Sequence, residues 1–194
     1  MDYNIPKVPS VNNDYCIKEL EDGTKYFYLD KNISLNEEII KEMEKYNAVE
    51  FGYNFNQQVD NLPNNIQYLT FGDSFNQPVD NLPSELECLT FGYNFNQPLC
   101  DNLPPKLKYL FFGDNFNQPL CDNLPTFNSE KGHEFNQPLG DNLPVELEEL
   151  TLGLEFNQPF DNKFPSSLKY LNITTYYDKP LSSIPSTVII TRYI

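Results

Sequence analysis

Six aspartates recur at nearly constant spacing along this sequence: Asp60, Asp80, Asp101, Asp122, Asp141 and Asp161. Stacked one strand apart, at roughly 5 Å, like carboxylates repel unless each accepts local N–H bonds or the column binds cations. The Asn-Leu-Pro that follows most of them suits an Asx-type turn, so a turn role is favoured over a calcium-binding stripe. Calcium-binding parallel β-rolls carry denser Gly-Asp repeats. Catalytic chemistry has less to work with. His133 is the single histidine, so a multi-histidine metal cluster is impossible, and it lies in an irregular stretch with Glu134. No Gly-rich phosphate loop and no Gly-x-Ser-x-Gly elbow occurs. Cys100 and Cys121 share one repeat position, but side chains stacked in parallel fit disulfide geometry poorly. The sequence assigns no catalytic residue, no metal ligand and no cofactor.

A second polar column is more regular. Asn56, Asn76, Asn96, Asn117, Asn136 and Asn157 each follow a phenylalanine, at Phe55, Phe75, Phe95, Phe116, Phe135 and Phe156, with spacings of 20, 20, 21, 19 and 21 residues. A faded copy, Tyr177-Asp178-Lys179-Pro180-Leu181, follows. A fixed period of this size marks a solenoid whose coils bury their apolar faces against their neighbours. In such a stack each Asn can satisfy turn backbone groups and bond the equivalent Asn above and below, so a structural ladder is favoured over a ligand site. The phenylalanines read as core.

Each period runs Leu-x-x-Leu-x-Phe-Gly-x-x-Phe-Asn-Gln-Pro-Leu-x-Asp-Asn-Leu-Pro, with Leu86, Leu89 and Phe91 as one instance of its start. Leu-x-x-Leu-x-Leu is the strand segment of leucine-rich repeats, one short parallel strand per coil. Gly52, Gly72, Gly92, Gly113 and Gly153 close the strands, where a turn can call for positive φ. The prolines of Gln-Pro and Leu-Pro predict an extended, non-helical convex side. Residues 126–134 lack the paired leucines and predict an interrupted strand ladder. Before the repeats, residues 1–46 read as an end cap. Asp22-Gly23 marks a β-hairpin, and Ser34 with Glu37 forms a capping box opening a helix to about Lys45. After repeats spanning 47–185, residues 186–194 predict a closing strand.

Composition narrows the partners. The net charge is −15, and aromatic residues make up 14% of the chain. Such an acidic surface repels phosphate backbones and anionic headgroups, so neither nucleic acid nor membrane is an expected partner. No basic segment followed by an apolar run opens the chain, and no run is long and apolar enough to span a bilayer. With four scattered cysteines, a reducing, cytoplasmic setting is expected.

With motif, spacing and the Leu-Pro-x-x-Leu lead-in agreeing over consecutive coils, the chain resembles the FNIP-repeat family, a divergent leucine-rich-repeat type of social amoebae and giant DNA viruses. The motif stands as Phe-Asn-Gln-Pro at 75–78, 95–98, 116–119, 135–138 and 156–159. The resemblance implies a mainly β solenoid with an interaction role, in the host cytoplasm if the chain is viral. Members often join the repeats to an F-box, which implies ubiquitin-ligase adaptors, but residues 1–46 read as hairpin plus helix instead.

The best interaction surface is the outward face of the strands. There the x positions of Leu-x-x-Leu-x-Phe place Tyr68, Tyr109, Phe111 and Tyr170 in an aromatic stripe among mixed charges. Exposed aromatics on a rigid sheet resemble interface anchors; cross-strand packing alone is the other reading. The sequence thus predicts a non-enzymatic solenoid of about seven coils binding a protein of unknown identity, as a monomer or weakly self-associating chain. The alternative is a structural or assembly component of a larger body such as a virion.

Overall fold

A computed structural model describes residues 14–99, 103–119, 126–128, 134–139, 143, 147–160 and 164–194. A hairpin of β1 (Cys16–Glu19) and β2 (Lys25–Leu29) leads into α1 (Glu37–Met43). Strands β3 (Ala48–Phe51), β4 (Tyr68–Phe71), β5 (Cys88–Thr90), β6 (Tyr109–Phe111) and β7 (Thr126–Asn128) then follow, one per coil. After them come β8 (Glu149–Thr151), β9 (Tyr170–Thr174) and β10 (Ile189–Tyr193). Strands β1 to β7 form one sheet in sequence order, and β8, β9 and β10 form a second. Only the β1–β2 pair is antiparallel; β2 onward pair in parallel. The molecule is a mainly β, leucine-rich-repeat-like solenoid of about seven turns.

Two tight turns shape each coil. Before the strand, the Leu-Pro carbonyl accepts from the amide three residues on, as from Ile66 to Pro63, Leu86 to Pro83 and Leu107 to Pro104. Proline suits this position because the turn uses its carbonyl and not the N–H it lacks. After the strand, Phe55, Phe75, Phe95 and Phe116 donate in the same way to Gly52, Gly72, Gly92 and Gly113. The return segments are extended and non-helical.

The strand-closing glycines are required for a different reason from the one their sequence position suggests. Gly23, in the hairpin turn with φ 84°, is the positive-φ glycine among the described residues. At Gly72 a Cβ would collide with the Gly52 carbonyl of the preceding coil. The coils stack backbone on backbone here, and only a residue without a side chain lets them approach.

The cap also differs in detail. Asn36, not Ser34, is the N-cap: its Oδ1 accepts from the Ile39 amide at 2.9 Å. The helix starts at Glu37 and ends at Met43, short of Lys45. Asn caps as well as Ser does, and Asn36 stands directly before Glu37 and Glu38, which favour the helix N-terminus. Ser34 Oγ instead donates to Gln57 Oε1 in the first repeat. Ile39 and Met43 are buried against the end of the core.

The core is a slab of stacked columns. Val49, Leu69, Leu89 and Leu110 point in from the strand centres, and Val59, Val79, Leu99 and Leu139 from the return segments. Between them run the phenylalanines. Ring centroids of Phe55, Phe75, Phe95, Phe116, Phe135 and Phe156 step by 6.0 to 6.2 Å. Paired strands sit only about 4.8 Å apart.

The predicted interruption lies slightly later than expected. Thr126–Asn128 does form a strand, with Thr126 opposite Tyr109 and Asn128 opposite Phe111. The pairing stops between β7 and β8. At the far end Arg192 occupies the register of buried Ile173. Its Nη1 donates to the carbonyls of Tyr177 at 3.0 Å and Thr174 at 3.3 Å.

Candidate protein-binding face

Alternation along each short strand sends Leu69, Leu89 and Leu110 inward and their neighbours outward. The first outward column runs Ala48, Tyr68, Cys88 and Tyr109, each in register with the next. The second runs Tyr28, Glu50, Thr70, Thr90 and Phe111. Tyr68 is 49% exposed and Tyr109 52%. Tyr170 is 45% exposed, but it lies in the second sheet, flanked in register by Glu149 and Ile189. Phe111 is half-buried, less available than the sequence suggests. The structure thus brings Tyr68, Tyr109 and Phe111 onto one sheet and sets Tyr170 apart.

Charge along this face is mostly internal to it. Lys108 pairs with Glu87 at 2.7 Å, Lys106 with Glu85 at 2.5 Å and Lys169 with Glu148 at 2.6 Å, each linking one coil to the next. The hydrogen bond to Glu87 raises the Lys108 pKa. At the N-terminal end Lys18 lies 3.1 Å from the centroid of the Tyr28 ring, a cation–π contact. Burial, aided by Glu50, pushes Tyr26 up to about 12. Burial also raises the Cys88 thiol.

Sequence reasoning missed a second aromatic set. Tyr53 (64% exposed), Tyr93 (48%) and Tyr176 (68%) sit in the turns that leave the strands. The signal was present in the Gly-x-x-Phe turns, where x alternates between Tyr53, Asp73, Tyr93 and Asp114. In the coils of β3 to β6, face tyrosines occur where the turn carries Asp, and turn tyrosines in the coils between; in the coil of β9, Tyr170 and Tyr176 occur together.

The Asn column lies on the side of the core, half-buried. Each Oδ1 accepts the backbone N–H of the next coil's Asn: Asn76 donates to Asn56, Asn96 to Asn76, Asn117 to Asn96, Asn136 to Asn117 and Asn157 to Asn136, at 2.9 to 3.0 Å. The same oxygen accepts Nε2 of the next coil's Gln, as from Gln77, Gln97, Gln118, Gln137 and Gln158, each at 3.1 Å. Two further members extend the column at its ends. Asn32 Oδ1 accepts from Asn56 N and Gln57 Nε2, and Asp178 N donates to Asn157 Oδ1 at 3.2 Å. Asn32 escaped detection because its step to Asn56 is 24 residues and no Phe precedes it. Shallow polar depressions follow this edge, one beside Asn56, Gln57 and Gln77 and one beside Asp114, Asn117 and Glu155.

Of the Asp column, Asp60 and Asp80 are exposed, while Asp101, Asp122, Asp141 and Asp161 lie outside the described residues, as do Cys100, Cys121 and His133. Among the described residues no group of three or more His, Cys, Asp or Glu is placed to hold a metal ion. No helix among them is long and apolar enough to cross a membrane.

The FNIP Repeat family model matches residues 55–94, 95–126, 135–173 and 156–190, most of the coils just described. The chain belongs to the FNIP repeat family. This FNIP chain is also similar to a solved structure titled "The crystal structure of CroV588 a novel circular LRR protein structure". The two superpose with a TM-score of 0.72 at 36% sequence identity, over 85% of this chain and 26% of that one. The FNIP chain therefore spans about a quarter of the length of that neighbour. A comparison with curated proteins found no match. FNIP coils are thus a repeat of the leucine-rich-repeat solenoid kind, commonly an interaction scaffold.

Proposed function

We propose that this FNIP solenoid is a non-catalytic scaffold that binds a partner protein on its concave strand face in the cytoplasm. Tyr109 and Phe111 form the centre of the contact, with Tyr68 and Tyr170 flanking it. The observation that carries this reading is the exposure of Tyr68 and Tyr109, about half of each ring surface, on strands already hydrogen-bonded on both sides. Aromatic side chains held on such a rigid support lose little freedom on binding, which is why they dominate interface energies. The acidic surface argues against nucleic acid and anionic membrane as partners.

Affinity purification with the chain as bait, beside a Tyr109→Ala/Phe111→Ala double variant, tests the assignment. A distinct partner retained by the wild type and lost by the variant is the expected result. Unchanged affinity of that partner for the variant overturns it. The second reading, an assembly component of a larger body, draws on the exposure of Ile189 (58%) and Ile190 (36%) in the outer strand β10. It predicts self-association or bulk structural proteins held equally by both baits.

A further inference from the structure

Tyr68 and Tyr109 stand in register with Cys88 between them, on β4, β6 and β5. Two strand spacings separate the tyrosines by roughly 9.6 Å. Cys88 is small and half-buried, so the pair walls a slot whose floor is the thiol. Thr70, Thr90 and Phe111 continue the floor along the second outward column.

The slot restricts what can enter it. Its central strand β5 is paired on both sides, so no backbone edge remains for an added strand. An α-helix laid across the strands rises only about 5.4 Å per turn, out of step with the tyrosine spacing. A polyproline II segment advances about 9.3 Å per three-residue turn, close to the tyrosine repeat, and has no internal hydrogen bonds to lose. Its carbonyls stay free to accept from tyrosine hydroxyls.

Charge points the same way. The two coils that supply the face tyrosines also supply Asp73 and Asp114 at the following turns, again two coils apart. Neither is in an ion pair among the described residues, in contrast to Glu85 and Glu87 on the opposite rim. With a net charge of −15 behind it, this surface favours a cationic occupant.

Building on the strand face as a partner-binding surface, we infer that the Tyr68–Cys88–Tyr109 slot takes a proline-rich, basic-flanked segment of the partner in polyproline II conformation, running across the strands. Prolines three residues apart pack on successive tyrosines, and flanking Lys or Arg side chains reach toward Asp73 and Asp114.

The test uses fluorescein-labelled decapeptides on the full chain, read by fluorescence anisotropy. An array of Pro-x-x-Pro sequences with terminal arginines is compared with the same compositions at Pro-x-x-x-Pro spacing and with Pro→Ala versions. Saturable binding of the three-residue spacing alone is expected. Y68A and Y109A, exposed positions checked for unchanged circular dichroism, should each weaken it roughly tenfold or more. D73N with D114N should weaken it several-fold and flatten its salt dependence. Equal binding by Y68A and Y109A, or no preference for the three-residue spacing, overturns the inference. So does silence across the array while the Tyr109→Ala/Phe111→Ala bait still loses its partner, an outcome that leaves the scaffold intact. Silence together with a partner retained by that bait overturns both.

Discussion

The coils built on β3 to β6 and those built on β8 and β9 share one repeat but are held together differently. In the first group a phenylalanine at or just past the end of each strand stacks on the loop phenylalanine of its own coil. The pairs Phe51–Phe55, Phe71–Phe75, Phe91–Phe95 and Phe112–Phe116 have centroids 3.6 to 4.1 Å apart. In the second group Leu152 and Ile173 take the strand-end position, and Phe156 packs on Phe160 at 5.7 Å and Tyr177 at 6.1 Å instead. Between the groups the strand pairing lapses among the described residues. The Asn ladder does not lapse, passing from Asn117 to Asn136 at 3.0 Å and on to Asn157 at 2.9 Å. The sheet can lose a rung because the side-chain amides on the other side of the core carry the stacking through.

The largest effect that could break this comparison is at the paired rings. Phe95→Ala removes a fully buried ring stacked on Phe91, Phe75 and Phe116 and should cost about 3–5 kcal/mol. Phe156→Ala, whose neighbours Phe160 and Tyr177 can close in, should fall at the low end of that range; urea midpoints compare the two. Equal losses would mean that the double ring column adds nothing.

A smaller, more local loss is expected from the ladder. Asn136→Ala leaves the Asn157 amide and Gln158 Nε2 without their shared side-chain acceptor, which should cost about 1–3 kcal/mol. Deprotection by hydrogen exchange should concentrate near 156–160, because among the described residues no pairing between β7 and β8 takes up the load there. In Asn76→Ala the flanking strands β4 and β5 remain paired and should keep their protection. Asn136→Asp, which keeps an acceptor oxygen, should retain most of the stability at neutral pH.

Asn36→Ala, far from the lapse, removes the cap to Ile39 and should cost about 1 kcal/mol. Its exchange effects should stay within α1 and the first coil.

The smallest effect is alkaline. Tyr26 has its pKa raised from 10.0 to about 12, so the folded state holds this proton more tightly than the unfolded one. The resulting stability is fully present below pH 10 and is lost as pH rises through about 12. Tyr193, at the other end, is also raised by burial. Absorbance of tyrosinate should show both titrating above the ordinary tyrosine range, with unfolding spreading inward from the ends.

Much of this architecture was legible because a repeat makes each position evident several times over. The Leu-x-x-Leu-x-Phe strands, the core phenylalanines and the extended return segments needed only periodicity. What was misread turned on backbone geometry. Gly72, Gly92 and Gly113 looked like positive-φ residues, yet they answer a collision with the preceding coil that no single coil reveals. Ser34 looked like the cap because Ser and Asn serve equally, and only the chain path selects Asn36. Strand β7 forms without paired leucines, in parallel register with β6. On the binding face, the alternation of Tyr53, Asp73, Tyr93 and Asp114 was visible, but its meaning depends on knowing that those turns stay exposed.

Hydrogen exchange at the Asn136 and Asn157 amides tests the continuity of the ladder most directly. Both donate to an Asn Oδ1 of the preceding coil, Asn136 within the last paired step, β6 to β7, and Asn157 across the lapse between β7 and β8. Protection comparable to that of the Asn96 amide, deep in the paired coils, is the result expected. Exchange of Asn136 and Asn157 at the rate of an exposed turn, with Asn96 still protected, would contradict the ladder as the element that holds the two groups of coils together.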